Sequence, residues 1–441
     1  FMGIIENIGW VLVLIGVMIV IHELGHYWAA RFFDIKVDTF SFGFGPRLFG
    51  YRKGETDFRV SLIPFGGYVR MAGEQPGDQG ADDPRSFQAK PRWQRLIVVF
   101  GGPAMNVVLA VGILTGLFMY RFPKQPPSHT PGILGVVLPD SPAARAGFKE
   151  GDRITAIDGV QYPTWEDILM KVAGNPGQPM RVTVERDGKE ITASLTPDMD
   201  KRDGIGTAGW AEQMEIQIGG IQKGMDAERQ GLKPGDILVS INGKPIRSTY
   251  KIREEVVGAN GAPVTIVYKR DGREHTATVT PAQGEIDGQK TWMIGVSLEP
   301  RVVYVRLGPI DALRESVRSN IRSASMIYKF LLGIIEQRMS PKSLEGPIRM
   351  AQISKEAANE GVASYLGLMA MVSLNLAIFN LLPIPVLDGG AILLLLVEMI
   401  FGRDLSLQVK EAVLKFGFVF LLMIVMFVLY NDIRKVMPSG G

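Results

Sequence analysis

The sequence predicts a polytopic α-helical membrane protein with about four spanning helices, a strand hairpin after the first, and two small α+β domains in its middle. Long apolar runs near both ends supply the helices, the first over residues 8–21 and the last over 413–430. The polar middle repeats itself at a shift of 84 places: Gly147, Gly151, Asp152 and Gly159 fall on Gly231, Gly235, Asp236 and Gly243. A register kept through Thr196-Pro197 and Thr280-Pro281 means two copies of one domain. Residues 37–50 and 58–71 alternate polar and aromatic side chains at period two, as strands do.

The first helix is expected over about Ile4–Phe33, long enough to cross ~30 Å of hydrocarbon. With no basic residue ahead of it, it reads as a retained anchor and not a cleaved signal, and Phe1 ahead of Met2 carries no fold information. In its second half lies His22-Glu23-Leu24-Gly25-His26. Ionisable residues at membrane depth are costly and by default functional. Positions four apart share a helix face, so His22 and His26 can converge on one zinc ion while Glu23 stays free as a general base. Arg31 and Lys36 follow the motif, and Lys90, Arg92 and Arg95 precede the next span. The positive-inside rule then puts the N-terminus outside and the motif toward the cytoplasm, although Arg434 and Lys435 on the outer side run against it.

The strands of 37–50 and 58–71 should pair with each other, because open strands cannot face lipid. They form either a structural hairpin or an edge that accepts a substrate segment as an added strand. The second span, Leu96–Tyr120, is expected to be broken near its start by Gly101-Gly102-Pro103. Asn106, one turn on, either bonds another helix or reaches a reacting carbonyl. The Pro-rich stretch from Arg121 to Pro131 leads into the repeated domains, expected at 132–204 and 214–300. An amphipathic linker over 301–361 is expected to lie at the membrane interface, because its apolar core, Met326–Ile335, is too short to span.

The third and fourth spans fall within 362–435, and Asn375 and Asn380 sit inside the third. Pro383 and Pro385 must break the helix just before Asp388-Gly389-Gly390. Irregular backbone at membrane depth is tolerated where it lines a cavity, which makes Asp388 the best candidate for a third zinc ligand. The alternative is that Asp388 only caps the helix that follows.

Composition narrows these choices. The 441 residues hold no cysteine, so disulfides and thiolate metal sites are excluded. Only His22, His26, His129 and His275 are histidines, so a further zinc ligand should be a carboxylate. The net charge of +3 is too small to point to nucleic acid.

The segments SPAARAGFKEGDRITAIDGV and MDAERQGLKPGDILVSINGK resemble bacterial, circularly permuted PDZ domains. That resemblance implies grooves for extended peptide, used for gating or docking; a rigid spacer is the alternative. HELGH at His22–His26, FSFGFG at Phe40–Gly45, PFGGYVRM at Pro64–Met71, GGPAMN at Gly101–Asn106 and NLLPIPVLDGG at Asn380–Gly390 together resemble the site-2 protease family, of the bacterial regulator-of-sigma-E type with tandem PDZ domains.

The family resemblance implies zinc on His22, His26 and Asp388, with Glu23 activating water. It also implies a membrane-associated β-hairpin near the site, including Phe42, Gly43, Phe44 and Gly45, and an unwound substrate held by Asn380, Pro383 and Pro385. Ala391 departs from the His of the best-known relatives. The substrate implied is a pre-trimmed single-span anti-sigma factor, with remnant signal peptides as further substrates, cleaved in the bacterial inner membrane with the PDZ domains in the periplasm. The rival reading is a non-catalytic PDZ scaffold with a structural metal; Glu23 argues against it, since such a scaffold has no need of the base.

Overall fold

In the computed structural model the described residues are 2–74, 83–120, 122–124, 132–200, 204–286, 289–301, 303–336, 341 and 346–436. They form two compact units. One comprises Phe1–Phe122, Arg306–Lys329 and Leu344–Gly441, and the other Pro123–Val305 with Phe330–Ser343.

Four helical segments in the first unit are long and apolar enough to cross a membrane: Gly9–Phe32, Arg92–Tyr120, Val362–Asn380 and Gln408–Arg434. The helices that contain or accompany them are α1 (Met2–Phe32), α2 (Arg92–Tyr120), α3 (Pro309–Ile335), α4 (Pro347–Glu360), α5 (Val362–Asn380), α6 (Asp388–Phe401) and α7 (Leu407–Val436). α1 lays Leu14 and Met18 against Ala357 of α4 and Tyr365, Leu368 and Met369 of α5. The Tyr365 hydroxyl donates to the Trp10 carbonyl at 2.7 Å, so its polar tip is satisfied inside an apolar contact. Ala110 of α2 packs on Ala370 and Leu374 of α5.

One expectation changes here. α2 is continuous through Gly101-Gly102-Pro103, with Pro103 inside it, and does not break. Pro103 removes only the bond to the Val99 carbonyl, a loss that membrane helices tolerate when neighbours pack closely. The first half of α3 runs along α2, where Ser316 donates to the Val111 carbonyl at 2.7 Å and Ala312 and Asn320 are buried.

Between α1 and α2 the chain forms β1 (Val37–Lys53) and β2 (Thr56–Met71), each of which folds back on itself. Phe40 pairs with both Val69 and Phe58, and Phe42 with both Gly67 and Val60. The result has four strand segments in the order 67–71, 37–42, 57–60, 49–53. Phe42 therefore lies in the middle and not at an edge, contrary to the simple hairpin expected. The bend needs glycine at Gly43, whose φ of 89° lies in the left-handed region and where a Cβ would come within 2.7 Å of the Ile63 carbonyl oxygen.

The hairpin turn is pinned to the end of α1. Glu55 accepts from Arg85 Nη1 at 3.0 Å and Nη2 at 2.6 Å, and it also pairs with Arg31.

In the second unit, elements recur at the 84-residue shift. Strands Arg153–Ile157, Met180–Arg186 and Lys189–Leu195 have counterparts Ile237–Ile241, Val264–Arg270 and Arg273–Val279. Helix Trp165–Ala173, capped by Thr164, has its counterpart in Thr249–Gly258, capped by Ser248. Each copy buries one aspartate under an arginine fork: Asp152 with Arg186 at 2.6 and 2.7 Å, and Asp236 with Arg270 at 2.7 and 2.6 Å. The same aspartates accept the Lys149 and Lys233 amides at 2.8 Å. Buried charge is tolerable when its lone pairs are this fully used.

The Arg85 hydrogen bonds, and then those of Arg31, hold the Glu55 carboxyl below its ordinary value of 4.5. A folded value below the unfolded one means the contact contributes fully above about pH 4.5 and is lost as pH falls through the lowered value. The protection of amides 53–57 against hydrogen exchange, taken relative to the intrinsic rate at each pH, should therefore fall on acidification from about pH 6 to about pH 3. Glu55→Gln should be weakly protected throughout, with that acid step gone; an unchanged step in the variant would refute the anchor.

Candidate active site

The site is assembled from two remote segments. α1 runs unbroken through its motif, so His22 and His26 share a face and both are 8 % exposed. α5 ends at Asn380, and α6 begins at Asp388 with Leu387 in the capping position and no side-chain cap bond. Asp388 thus does not cap the helix. Its Oδ2 lies 3.1 Å from His22 Nε2 and its Oδ1 3.6 Å from His26 Nε2, and the two Nε2 atoms are 3.2 Å apart.

Close packing forces this convergence. α1 and α2 cross where Gly25 meets Gly101: a Cβ on Gly101 would come within 2.6 Å of the Gly25 carbonyl oxygen, and one on Gly25 would overlap the Gly101 carbonyl. The next residue, Gly102, leaves the space the imidazoles occupy, since a Cβ there would overlap His26 Nε2 and come within 2.7 Å of His22 Nε2. Behind Asp388, Cβ atoms on Gly389 and Gly390 would overlap the carbonyls of Leu382 and Ile384, so the glycine pair lets the loop fold onto the first turn of α6. Val386 in that loop has φ 88°, an outlier for a β-branched residue and a sign of stored strain.

Among the described residues this is one group of His and acidic side chains able to hold a metal, with ligand atoms all within 4.8 Å of one another. At metal–ligand bonds of about 2.0–2.1 Å, the edges of a tetrahedron are about 3.3 Å. The Nε2–Nε2 separation of 3.2 Å and the 3.1 Å from His22 Nε2 to Asp388 Oδ2 match that spacing, while His26 Nε2 has the other carboxylate oxygen, Oδ1, at 3.6 Å. His26 Nδ1 lies 2.9 Å from the Val98 carbonyl oxygen. A carbonyl can only accept, so the proton sits on Nδ1 and the Nε2 lone pair points into the group. Two imidazoles and a carboxylate therefore fit a zinc ion with a position left open.

The three side chains line a cavity of about 860 Å³ together with Glu23, and Phe44, Asn380, Pro385 and Ala391 also line it. Phe42, Gly43, Gly45, Pro383 and Asn106 do not. Asn106, expected within reach of a substrate carbonyl, is fully buried and sets its amide against His22 Nδ1 at 3.2 Å.

Several residues near the chemistry were not singled out from the sequence. Gly66, Gly67 and Tyr68 line the cavity. A Cβ on Gly67 would stand 2.8 Å from Ile19 and 3.1 Å from Glu23, and the Val69 backbone is in hydrogen-bonding reach of the Glu23 carboxylate. The strand edge beside Glu23 is thus 67–69, with Phe44 the one residue of 42–45 that also lines the cavity. At the far end of the cavity Glu398, 1 % exposed, accepts from Lys410 at 2.7 Å and from the Leu405 amide at 3.0 Å. A lone carboxylate in the apolar run AILLLLVEMIF was the available signal.

This architecture is that of an intramembrane metallopeptidase, and residues 10–424 match the sequence profile of Peptidase family M50. The chain belongs to that family and is a site-2-type zinc metalloprotease. It is similar to the "Putative zinc metalloprotease NMA0084" of Neisseria meningitidis, 32 % identical over 441 residues that cover 96 % of this chain and 97 % of that protein. It is also similar to the "Regulator of sigma-E protease RseP" of Salmonella typhimurium, 29 % identical over 457 residues covering 98 % and 100 %. Among solved structures, the PDZ domain of the SdrC-like protein from Listeria monocytogenes covers 19 % of this chain and 88 % of that one, at 22 % identity and a TM-score of 0.18.

Proposed function

We propose that this chain hydrolyses a peptide bond within the membrane-spanning segment of a pre-trimmed single-span protein, with zinc held by His22, His26 and Asp388. The observation that carries the reading is the convergence of those three side chains, 3.1–3.6 Å apart, beside a free carboxylate in one cavity. Zinc there supplies a Lewis acid for the substrate carbonyl and for water. Glu23 takes the proton of the attacking water on its carboxylate and passes it to the leaving amine. Asn380, at the end of α5, offers an amide to the substrate main chain, and Pro383 and Pro385 keep the loop beside it open.

A helical substrate hides its carbonyls in its own hydrogen bonds, so it has to be held extended. The 67–69 edge does this by strand addition on the side turned to Glu23, where the substrate main chain takes up the Val69 N–H that Glu23 otherwise accepts. The similarity to a regulator-of-sigma-E protease supports a substrate that acts in sigma-factor control, which we take to be an anti-sigma factor; remnant signal peptides are a second proposed class. The same similarity and the four apolar helices support a bacterial inner-membrane location. Arg31, Lys36, Lys90, Arg92 and Arg95 support an active site toward the cytoplasm, with the repeated domains, read as PDZ domains for extended peptide, on the periplasmic side.

Cleavage of a single-span reporter by the purified protein, with zinc measured in parallel, tests the chemistry. Glu23→Gln should keep about one zinc per chain and lose cleavage by at least about 100-fold; cleavage at the wild-type rate would end the protease assignment to this residue. Val69→Pro, which removes the outward main-chain N–H of the proposed edge, should slow cleavage with zinc content unchanged. Unaltered cleavage by that variant would rule out strand addition there.

A further inference from the structure

We infer that Asn106 is a positioning residue for His22, holding the imidazole through its side-chain carbonyl so that Nδ1 carries the proton and Nε2 faces the metal. The inference rests on the zinc reading above. The two ligand rings are supported from the same helix: His26 by the Val98 carbonyl at 2.9 Å, and His22 by the Asn106 amide at 3.2 Å. Asn106 is itself fixed, because it is fully buried and its main-chain carbonyl accepts the Ser373 hydroxyl of α5 at 2.9 Å.

With the amide nitrogen toward the ring, His22 Nδ1 would have to accept, and its proton would sit on Nε2, pointing at Asp388 3.1 Å away. That ring could not bind a metal. The same orientation leaves Asn106 Oδ1 buried without a partner. Turning the amide over exchanges Oδ1 and Nδ2 without changing its shape, and gives Oδ1 the Nδ1–H of His22 as donor. Both ligands then share one arrangement, a carbonyl oxygen on Nδ1–H and Nε2 toward the metal. A partner that fixes a ligand's orientation in this way is typically worth 10–100-fold in metal affinity.

The test uses the full chain in detergent and measures zinc affinity by competition with a chromogenic chelator, alongside thermal unfolding of the zinc-free protein. Asn106→Leu removes the acceptor and should weaken zinc binding by about 10–100-fold. Asn106→Asp keeps an acceptor oxygen at the same place and should bind zinc at least as tightly as the wild type. Wild-type affinity in Asn106→Leu would overturn the inference. So would equal weakening in both variants, which marks a packing role and remains readable if Asn106→Leu unfolds, since Asn106→Asp must then still retain full affinity. His22→Ala is the separate control: if it binds zinc undiminished, the zinc reading itself fails.

Discussion

Ionisable side chains cannot sit unpaired at membrane depth, and His22, Glu23, His26 and Asp388 bring four of them to one place. The surrounding structure follows from that constraint. The imidazoles are supported by α2, the carboxylate arrives from a loop that two prolines have broken, and the opposed polar atoms come within 3.1–3.6 Å of each other. With the proton of each imidazole on Nδ1, the carboxylate oxygens and two nitrogen lone pairs face one another in a medium of low dielectric. A divalent ion among them would turn that geometry into mutual attraction.

Small residues make the approach possible. Gly25 against Gly101 sets the crossing of α1 and α2, and Gly102 leaves the space in which the two Nε2 atoms meet. Gly389 and Gly390 let the loop after α5 lie on the start of α6, which aims Asp388 across the bundle. Lipid provides no hydrophobic drive for helices to associate, so tight backbone contact of this kind has to hold them together. Sheet and site are joined by the same device at Gly67, where the absence of a side chain brings the strand edge against Glu23.

Much of this was legible in the sequence because it is written in local periodicities. Spacing of four on a helix pairs His22 with His26, two prolines mark the break before Asp388, and the 84-residue shift announces the repeated domains. What was not legible depends on contacts between distant segments. Alternation predicts strands over 37–50 and 58–71 but carries no sign that each doubles back, so Phe42 reads as an edge residue although it pairs on both sides. Pro103 reads as a break, yet packing keeps α2 intact around it. Asn106 reads as either bonding another helix or facing substrate, and only the placement of α1 beside α2 identifies His22 as its partner. Glu398 is visible as an isolated acid, but Lys410, its partner across a turn, is not paired with it by any sequence spacing.

X-ray absorption at the zinc edge of the loaded, purified protein can establish whether two histidines from one helix and an aspartate more than 360 positions along the chain hold a single zinc ion. The spectrum should show a nitrogen–oxygen first shell at about 2.0–2.1 Å with outer-shell scattering from two imidazoles, and loss of one oxygen neighbour in Asp388→Ala. A first shell without imidazole scattering, or one that Asp388→Ala leaves unaltered, would contradict that arrangement.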